Sequence, residues 1–325
     1  MQNVSDEYRT IAGLAGWIDK TSRGRLRIDG RDAASFLHAL LSNDIQALRP
    51  GEGVYATYLT PQGRMIADIV AYHCGDHVLL DVAPGQSAVL SARFDQVIFT
   101  EEVQVSDVST SLDQIAVVGG SAEAAIARAA GADVEQLRAL PPRSHIMIGE
   151  LRVARTDDAP LPSLDLFFAS PARSEWLDRL DDAGVIPTSR ALAEALRIDA
   201  GRPAFGVDMT EETIPLEAGL LDRAISLTKG CYVGQEVIIR VLHRGGGRVA
   251  KRLVRLAFDP SVETPPAAGT PLSTDTGDAG RITSAAFSPR AGRVLALGYV
   301  HRDAAETGRR LQAAGAPAEI LGLAG

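Results

Sequence analysis

The sequence predicts an α+β fold with mixed, largely antiparallel sheets, followed by a small C-terminal antiparallel β-barrel. Short apolar strand-like runs bounded by turn residues are interleaved with amphipathic helical stretches as far as His243. Composition then changes: His243-Arg244-Gly245-Gly246-Gly247-Arg248 is glycine-rich and basic. Beyond it, short strands follow one another at close spacing without a long helix, the pattern of a small barrel. A chain of 325 residues has room for two or three compact units. The expected division is 1–244, itself expected to hold two subdomains, and 245–325, the barrel.

Taken in order, Asp32 is placed to cap a helix whose Phe36, Leu37, Leu40 and Leu41 form one stripe, ending near Ser42–Asp44. Val54–Leu59, Arg64–Tyr72 and His77–Val82 read as strands joined by turns at Thr60-Pro61-Gln62-Gly63 and Cys74-Gly75-Asp76. Ile115–Val118 is a short strand, and Ser121 opens an alanine-rich helix that stops at Gly131. Leu164–Ala169 is another strand, and Ser170-Pro171 starts a helix through Trp176, Leu177 and Leu180 that Gly184 ends. From Thr188 or Ser189, a further helix carries Leu192, Ala195, Leu196 and Asp199 on one face, until Gly201 and Pro203 stop it. In the last region Arg252–Phe258, Gly280–Phe287 and Arg293–Val300 read as strands, punctuated by Pro265-Pro266, Gly269, Thr276-Gly277 and Pro289. Gly245–Gly247 lacks the following Lys-Ser/Thr and helix of a phosphate loop, so it reads as linker.

Thirty-three basic against 41 acidic residues give a net charge of −8 and an isoelectric point near 5.3. That balance argues against nucleic acid held by bulk electrostatics, while leaving room for a local basic groove that takes a small anion. Two cysteines make no disulfide scaffold, and Met1–Thr10 has no charged segment followed by an apolar run. No stretch approaches the ~20 apolar residues that span a bilayer. The expectation is a cytoplasmic protein with no membrane partner; oligomeric state is not readable.

One stretch stands apart: Lys229-Gly230-Cys231-Tyr232-Val233-Gly234-Gln235-Glu236. Lys229 is placed to favour a Cys231 thiolate, Gly230 and Gly234 permit close approach of backbone or ligand, and Glu236 offers a carboxylate. A buried structural cysteine in a tight loop is the alternative. His73 and His77 beside Cys74 invite a metal reading, but a surface histidine pair on a strand-turn-strand is the safer one, and no metal site is expected.

The cysteine motif resembles the signature of the YgfZ-type folate-binding proteins, relatives of the glycine-cleavage T-protein (aminomethyltransferase) that assist iron–sulfur proteins. Asp32–Leu37 with Ser42-Asn43-Asp44-Ile45, and Leu59–Arg64 with Ala67-Asp68, resemble the family's opening helix and hairpin. Leu196-Arg197-Ile198-Asp199-Ala200-Gly201 and Ile214–Leu220 fit the approach to the motif, and Arg281–Ser284 with Phe287-Ser288-Pro289 resembles its barrel. The resemblance implies a T-protein/YgfZ-like folate-binding fold, a folate-binding region over 1–244, and tetrahydrofolate as ligand. It also implies that Asp199 holds the pterin ring, whose amino group and adjacent N–H form a two-donor edge for one carboxylate. The alternative is a frayed last turn with Asp199 on local backbone. Glu217 is another candidate, or else a turn acid. Arg240 either meets a folate tail or snorkels to the surface. Tyr58, Arg64 and Asp68 are candidate pocket residues, or else structural residues of a hairpin.

Aminomethyl transfer in the T-protein resemblance relies on an acid after a strand end, and Ala88 stands in that place. The glycine- and tyrosine-rich loop is replaced by Arg155-Thr156-Asp157-Asp158-Ala159-Pro160. Without the acid, proton-transfer assistance of ~10²–10⁴-fold is missing. The sequence therefore leans toward an accessory factor for assembly or repair of iron–sulfur proteins, using Cys231 on a transient cluster or in thiol exchange with client or assembly partners. The alternative is a folate-dependent, aminomethyltransferase-like enzyme in which Asp68, Asp81 or Glu217 supplies the acid.

Overall fold

The computed structural model describes residues 2–243, 246–275 and 277–325. Helix α1 (Gln2–Gly13) leads into β1 (Ala15–Asp19) and β2 (Gly24–Asp29), which enter different sheets. Helix α2 (Ala33–Leu40) buries the expected stripe of Phe36, Leu37 and Leu40. Asp32 sits at its start, but its carboxylate accepts the Glu102 N–H at 2.8 Å instead of capping the helix. Then come β3 (Gly53–Leu59), β4 (Met65–His73), β5 (His77–Val82), α3 (Gln86–Asp95) and β6 (Gln104–Asp107). They form a five-stranded antiparallel sheet in the order β3-β4-β5-β2-β6. One of its faces is covered by Leu37 of α2 and Leu90 and Phe94 of α3, packed on Leu26, Ile28, Ala56 and Ile69.

The second sheet is built from β1, β7 (Leu112–Val118), β8 (His145–Ile148), β9 (Leu151–Thr156), β10 (Ser163–Ala169) and β11 (Val185–Pro187), in the order β11-β1-β7-β10-β9-β8. The β1–β11 pair is parallel and the other pairs are antiparallel. Helices α4 (Ala122–Ala130), α5 (Val134–Arg138) and α6 (Arg173–Asp182) cover its outer face through Ile126, Leu137 and Leu180. A single 3₁₀ turn, Ser170–Ala172, precedes α6 at the expected Ser-Pro start.

Helix α7 (Arg190–Asp199), capped by Ser189, is followed by α8 (Leu221–Ala224) and α9 (Gln235–His243). Strands β12 (Lys251–Phe258), β13 (Pro271–Thr274), β14 (Gly277–Ser288), β15 (Arg293–His301), β16 (Arg310–Ala313) and β17 (Ala316–Leu323) then close a barrel in the order β12-β15-β14-β13-β16-β17. The α+β class and the barrel are as the sequence predicts. Of the expected linker and turn, Arg244, Gly245 and Thr276 lie outside the described residues. Gly246 and Gly247 close the end of α9, with the Gly247 N–H donating to the Val241 carbonyl at 3.0 Å. Among the described residues, no helix is long and apolar enough to cross a membrane.

The barrel is held to the rest of the chain by a buried carboxylate. Asp208, 2% exposed, accepts from Arg197 of α7 at 2.6 Å and from the Ala204 N–H at 3.0 Å. It also accepts from Thr283 at 2.5 Å and Ser284 at 2.6 Å, both on β14. The Arg281–Ser284 motif is thus an inter-segment clamp. Arg197 keeps Glu194 as a partner, at 2.5 and 2.9 Å, but the Ala204 N–H and the Thr283 and Ser284 hydroxyls lose the acceptor they share. Asp208→Ala should therefore cost about 1–3 kcal/mol, read as a lower urea midpoint with unchanged slope.

Candidate functional site

Side chains alternate across the β3–β4 hairpin, so Tyr55 and Thr57 share one face with Asp68 and Val70, while Ala56 and Tyr58 share the other with Ala67 and Ile69. The face carrying Tyr55 and Asp68 meets the second sheet, and polar groups fill the junction. The Gln114 amide bridges the sheets, donating to Asp81 of β5 at 3.0 Å and to Asp165 of β10 at 2.9 Å. Lys20 pairs with Asp165 at 2.8 Å, and Arg23 with Asp81 at 2.5 Å. The fully buried Arg25 guanidinium holds the carbonyls of Lys20, Thr21 and Ser109 at 3.3, 3.1 and 2.6 Å.

Asp68 is the unusual member of this seam. Its Oδ2 accepts from the Tyr55 hydroxyl at 2.9 Å, while Oδ1 is buried and has no partner among the described residues. Burial pushes the Asp68 carboxyl above its ordinary 3.8, outweighing Arg23 and the Tyr55 hydroxyl, which pull it down. Burial, reinforced by Asp68, holds the Tyr55 phenol well above 10, so it remains a donor. A carboxyl that titrates above its usual range, with one oxygen free, is equipped to receive an N–H or to move a proton.

Beside Tyr55 lies a guanidinium cluster. Asp157 accepts from Arg143, Arg202 and Arg223, each at 2.9 Å at its nearest. Arg143 and Arg223 also place their guanidinium carbons 5.8 and 5.2 Å from the Tyr55 ring centroid. Asp158 is held below its ordinary 3.8: burial works against this, and Lys20, Arg223, Arg23 and Arg143 overcome it.

The cysteine motif forms a separate surface loop. Lys229 is buried, and its ammonium donates to the carbonyls of His38, Leu41 and Asn43 at the end of α2, the last two at 2.5 and 3.1 Å. Burial draws that ammonium down to about 8, against Asp44. Tyr232 packs beneath it, with Nζ 5.1 Å from the ring centroid. Gly234 lies against the hairpin turn with φ +83°, where a Cβ would come within 2.5 Å of the Thr60 carbonyl oxygen. This seating leaves Cys231 exposed. Cys74 is partly buried with its thiol raised by burial, and follows the far end of β4. The nine residues of β4 put roughly 30 Å between the two ends. Among the described residues no three His, Cys, Asp or Glu side chains gather as a metal site, so the donors present do not fit an iron–sulfur cluster held by this chain alone.

Several expected site residues lie elsewhere. Lys229 does not reach toward the thiol: its three donors are taken by three carbonyls. Glu236 is exposed in the first turn of α9, an ordinary place for an acid. Asp199 is buried, but its carboxylate is filled by Arg290 at 2.6 and 2.9 Å and Ser288 at 2.7 Å, so it ties α7 to the barrel. Tyr58 faces the opposite core, its ring 5.7 Å from that of Phe94, because strand alternation turns it away from Asp68. Arg64 is exposed at the hairpin turn and paired with Glu212 at 2.6 Å, and Arg240 is exposed on α9. Glu217 is buried against the barrel, 3.8 Å from Lys251, with its carboxyl raised by burial. Ala88 is exposed in the first turn of α3, which carries no acid. Arg23, Tyr55, Arg143, Asp157 and Arg223 were not foreseen. The signal available was the period-two pattern that puts Tyr55 and Thr57 on one face.

The chain carries a family likeness over most of its length. The GCVT N-terminal domain matches residues 1–159, and the glycine cleavage T-protein C-terminal barrel domain matches 251–319. An aminomethyltransferase of Corynebacterium jeikeium is 30% identical, spanning 98% of this chain and 86% of its own length. One from Rubrobacter xylanophilus is 29% identical, spanning 91% and 79%. The crystal structure of the glycine cleavage system aminomethyltransferase T from Bartonella henselae superposes with a TM-score of 0.88 over 98% of this chain and 88% of that one, at 21% identity. The chain belongs to the glycine-cleavage T-protein (aminomethyltransferase) family.

Three outcomes follow. Because the folded Asp68 carboxyl holds its proton more tightly than the unfolded chain does, its stabilising contribution is full below pH 3.8 and is lost as pH rises through the raised value. Asp68→Asn should therefore flatten that fall and raise Tm at neutral pH, as read from thermal melts across the acid-to-neutral range. Lys229→Met leaves three carbonyls at the end of α2 without their donor and should cost about 1–3 kcal/mol. Cys231→Ser, at an exposed position, should stay within about 0.5 kcal/mol of wild type in the same urea titration.

Proposed function

We propose that this chain binds a tetrahydrofolate derivative in the seam around Asp68 and acts in folate-dependent one-carbon chemistry of the aminomethyltransferase type. The observation that carries this reading is the buried Oδ1 of Asp68, which has no partner among the described residues, beside the Tyr55 hydroxyl. Such an acceptor fits an N–H-bearing heterocycle, and a pterin edge supplies N–H donors. Relatives named aminomethyltransferase, matched over most of their length, support the same reading. The folate would carry the one-carbon unit. Asp68 would bind and orient the ring and hold or release a proton at its carboxyl, and Tyr55 would keep that carboxyl in place. This assigns to Asp68 the part that the sequence alone suggested for Asp199, which Arg290 occupies. The exposed Glu236, Arg64 and Arg240 have no part in it. The division at 1–244 and 245–325 is proposed with it, the first region carrying the ligand.

A second reading rests on a different observation: Cys231 is exposed on a loop anchored from beneath by Lys229, and the start of α3 has no acid. These features support a YgfZ-type accessory factor that binds folate and presents one thiol to iron–sulfur client or assembly proteins. A partner would supply the remaining thiolates, or the step would be thiol exchange.

Calorimetric titration with tetrahydrofolate, on wild type, Asp68→Asn and Cys231→Ala, tests the shared folate reading. Binding is expected in wild type and Cys231→Ala, and roughly tenfold or more weaker in Asp68→Asn. Equal affinity in all three would sink the assignment of Asp68. Formation of 5,10-methylenetetrahydrofolate from an aminomethyl-bearing carrier protein then separates the readings. Turnover that survives Cys231→Ala favours the enzyme. Folate binding without turnover, together with loss of iron–sulfur enzyme activity in cells carrying only Cys231→Ala, favours the accessory factor.

A further inference from the structure

Asp68 shares its face of the sheet with a second acid. Val70 stands opposite Asp81 across β4 and β5, and Asp68 lies two residues before Val70, on the same side. The two residues are therefore diagonal neighbours, at a Cα separation of about 7–8 Å. Both side chains lie in the junction: Asp81 is buried, and so is the Asp68 Oδ1. A carboxylate beside another in a dry junction needs a cation to remain charged. Arg23 supplies one. It comes two residues before Arg25, which stands opposite Asp81 in the β2–β5 ladder, and its Nε donates to Asp81 Oδ1 at 2.5 Å. The Gln114 amide holds Asp81 Oδ2 at 3.0 Å, so Asp81 is fixed through both oxygens. Asp68 takes its one hydrogen bond from Tyr55, and Arg23 acts on it through charge alone. Burial works against the Arg23 charge, and Asp81 and then Asp68 outweigh it. On the Asp68 carboxyl, burial acts upward, Arg23 downward and Asp81 upward again. The other charged groups around this point have occupations of their own. Lys20 is paired with Asp165 of β10, Arg25 is held by backbone carbonyls, and Arg143, Arg223 and Asp158 act on the Tyr55 side.

We infer that Arg23 and Asp81 are positioning residues for Asp68: Arg23 keeps the Asp68 carboxyl ready to accept a ligand's N–H, and Asp81 opposes that while anchoring Arg23 in place. The inference rests on the folate reading of Asp68 and deepens it by naming what governs that carboxyl. An ionised carboxylate accepts at both oxygens, whereas a protonated one gives up acceptor capacity to carry its proton. Breaking the same ion pair from its two ends then has opposite consequences. Arg23→Gln removes the cation and leaves Asp68 beside an acid that has lost its partner. Asp81→Asn removes the like charge, frees Arg23 to serve Asp68 and still offers Gln114 an oxygen. A pair that only held the sheets together would make the two variants alike.

The test reads Asp68 in the full-length protein, first without ligand and then with it. Carbon-13 NMR of the aspartate carboxyl groups, with the Asp68 signal assigned by its loss in Asp68→Asn, gives the midpoint of its titration. That midpoint is expected to rise by about one pH unit in Arg23→Gln and to fall by about half a unit in Asp81→Asn. Arg23→Lys, which keeps the charge, should recover most of the rise. Calorimetry with tetrahydrofolate across the same pH range should follow the midpoints. Where wild-type affinity is climbing with pH, it should be roughly tenfold weaker in Arg23→Gln and stronger in Asp81→Asn. Thermal melts at each pH control for folding, and either variant decides by itself if the other does not fold. Midpoints that stay where they are in wild type, or that move the same way in both variants, overturn the inference. Midpoints that part as expected, while tetrahydrofolate affinity ignores them or is absent in wild type, uphold the control of Asp68 by Arg23 and Asp81 and overturn the folate reading instead.

Discussion

Burying charge between two sheets constrains this molecule more than any single apolar contact does. Asp81 and Asp165 stand on different sheets, and each would be expensive to bury alone. The Gln114 amide reaches both, while Arg23 and Lys20 neutralise one each. The sheets therefore dock in a register in which these partners meet. A one-residue slip of β10 against its hydrogen-bonded neighbours β7 and β9 would turn Asp165 to the other face of its sheet, away from Gln114 and Lys20. The outer faces, where α2 to α6 pack on Leu, Ile, Val and Phe, tolerate more variation because apolar contacts are not directional.

The same economy of partners ties the surface loop to the interior. The Asn43 side-chain amide donates to the Tyr55 carbonyl at 2.9 Å and the Arg223 carbonyl at 3.3 Å. The Asn43 carbonyl in turn accepts from the Lys229 ammonium. The Ser42 hydroxyl meets both Thr57 and the Ala224 carbonyl. The end of α2 is thus stitched to the hairpin bearing Tyr55, to the segment bearing Arg223 and to the loop bearing Cys231. The Ser42-Asn43-Asp44 string, which reads as a helix exit in sequence, is a junction in space.

How much could be read beforehand follows from the range of each interaction. Elements with local signals were legible: the α2 stripe, the meander of β3 to β5, the Ser189-capped α7 and the closely spaced barrel strands. β1 and β2 escaped because they are short and partner strands far along the chain, and α9 because Val237–Leu242 reads as an apolar run. Site residues failed for a related reason. Asp199 lies on the apolar face of its helix as expected, but its partner Arg290 is 91 residues away. Lys229 is 186 to 191 residues from the carbonyls that hold it. Tyr58 was a local error, since alternation along β3 already separates it from the face of Tyr55.

Ala88 is a position that the packing leaves free. α3 is held by Leu90 and Phe94, which are fully buried, whereas Ala88 is exposed in its first turn. An acid there would add nothing to packing, so its absence leaves the helix, the sheet and the seam intact. Asp68 is the reverse case. Its raised carboxyl and orphaned oxygen are unfavourable to folding, and the Tyr55 hydroxyl offsets only part of that. A fold free to optimise stability would replace it with an apolar residue or give it a second partner. Under the proposed function, the ligand's N–H would supply the partner that no described residue gives Oδ1.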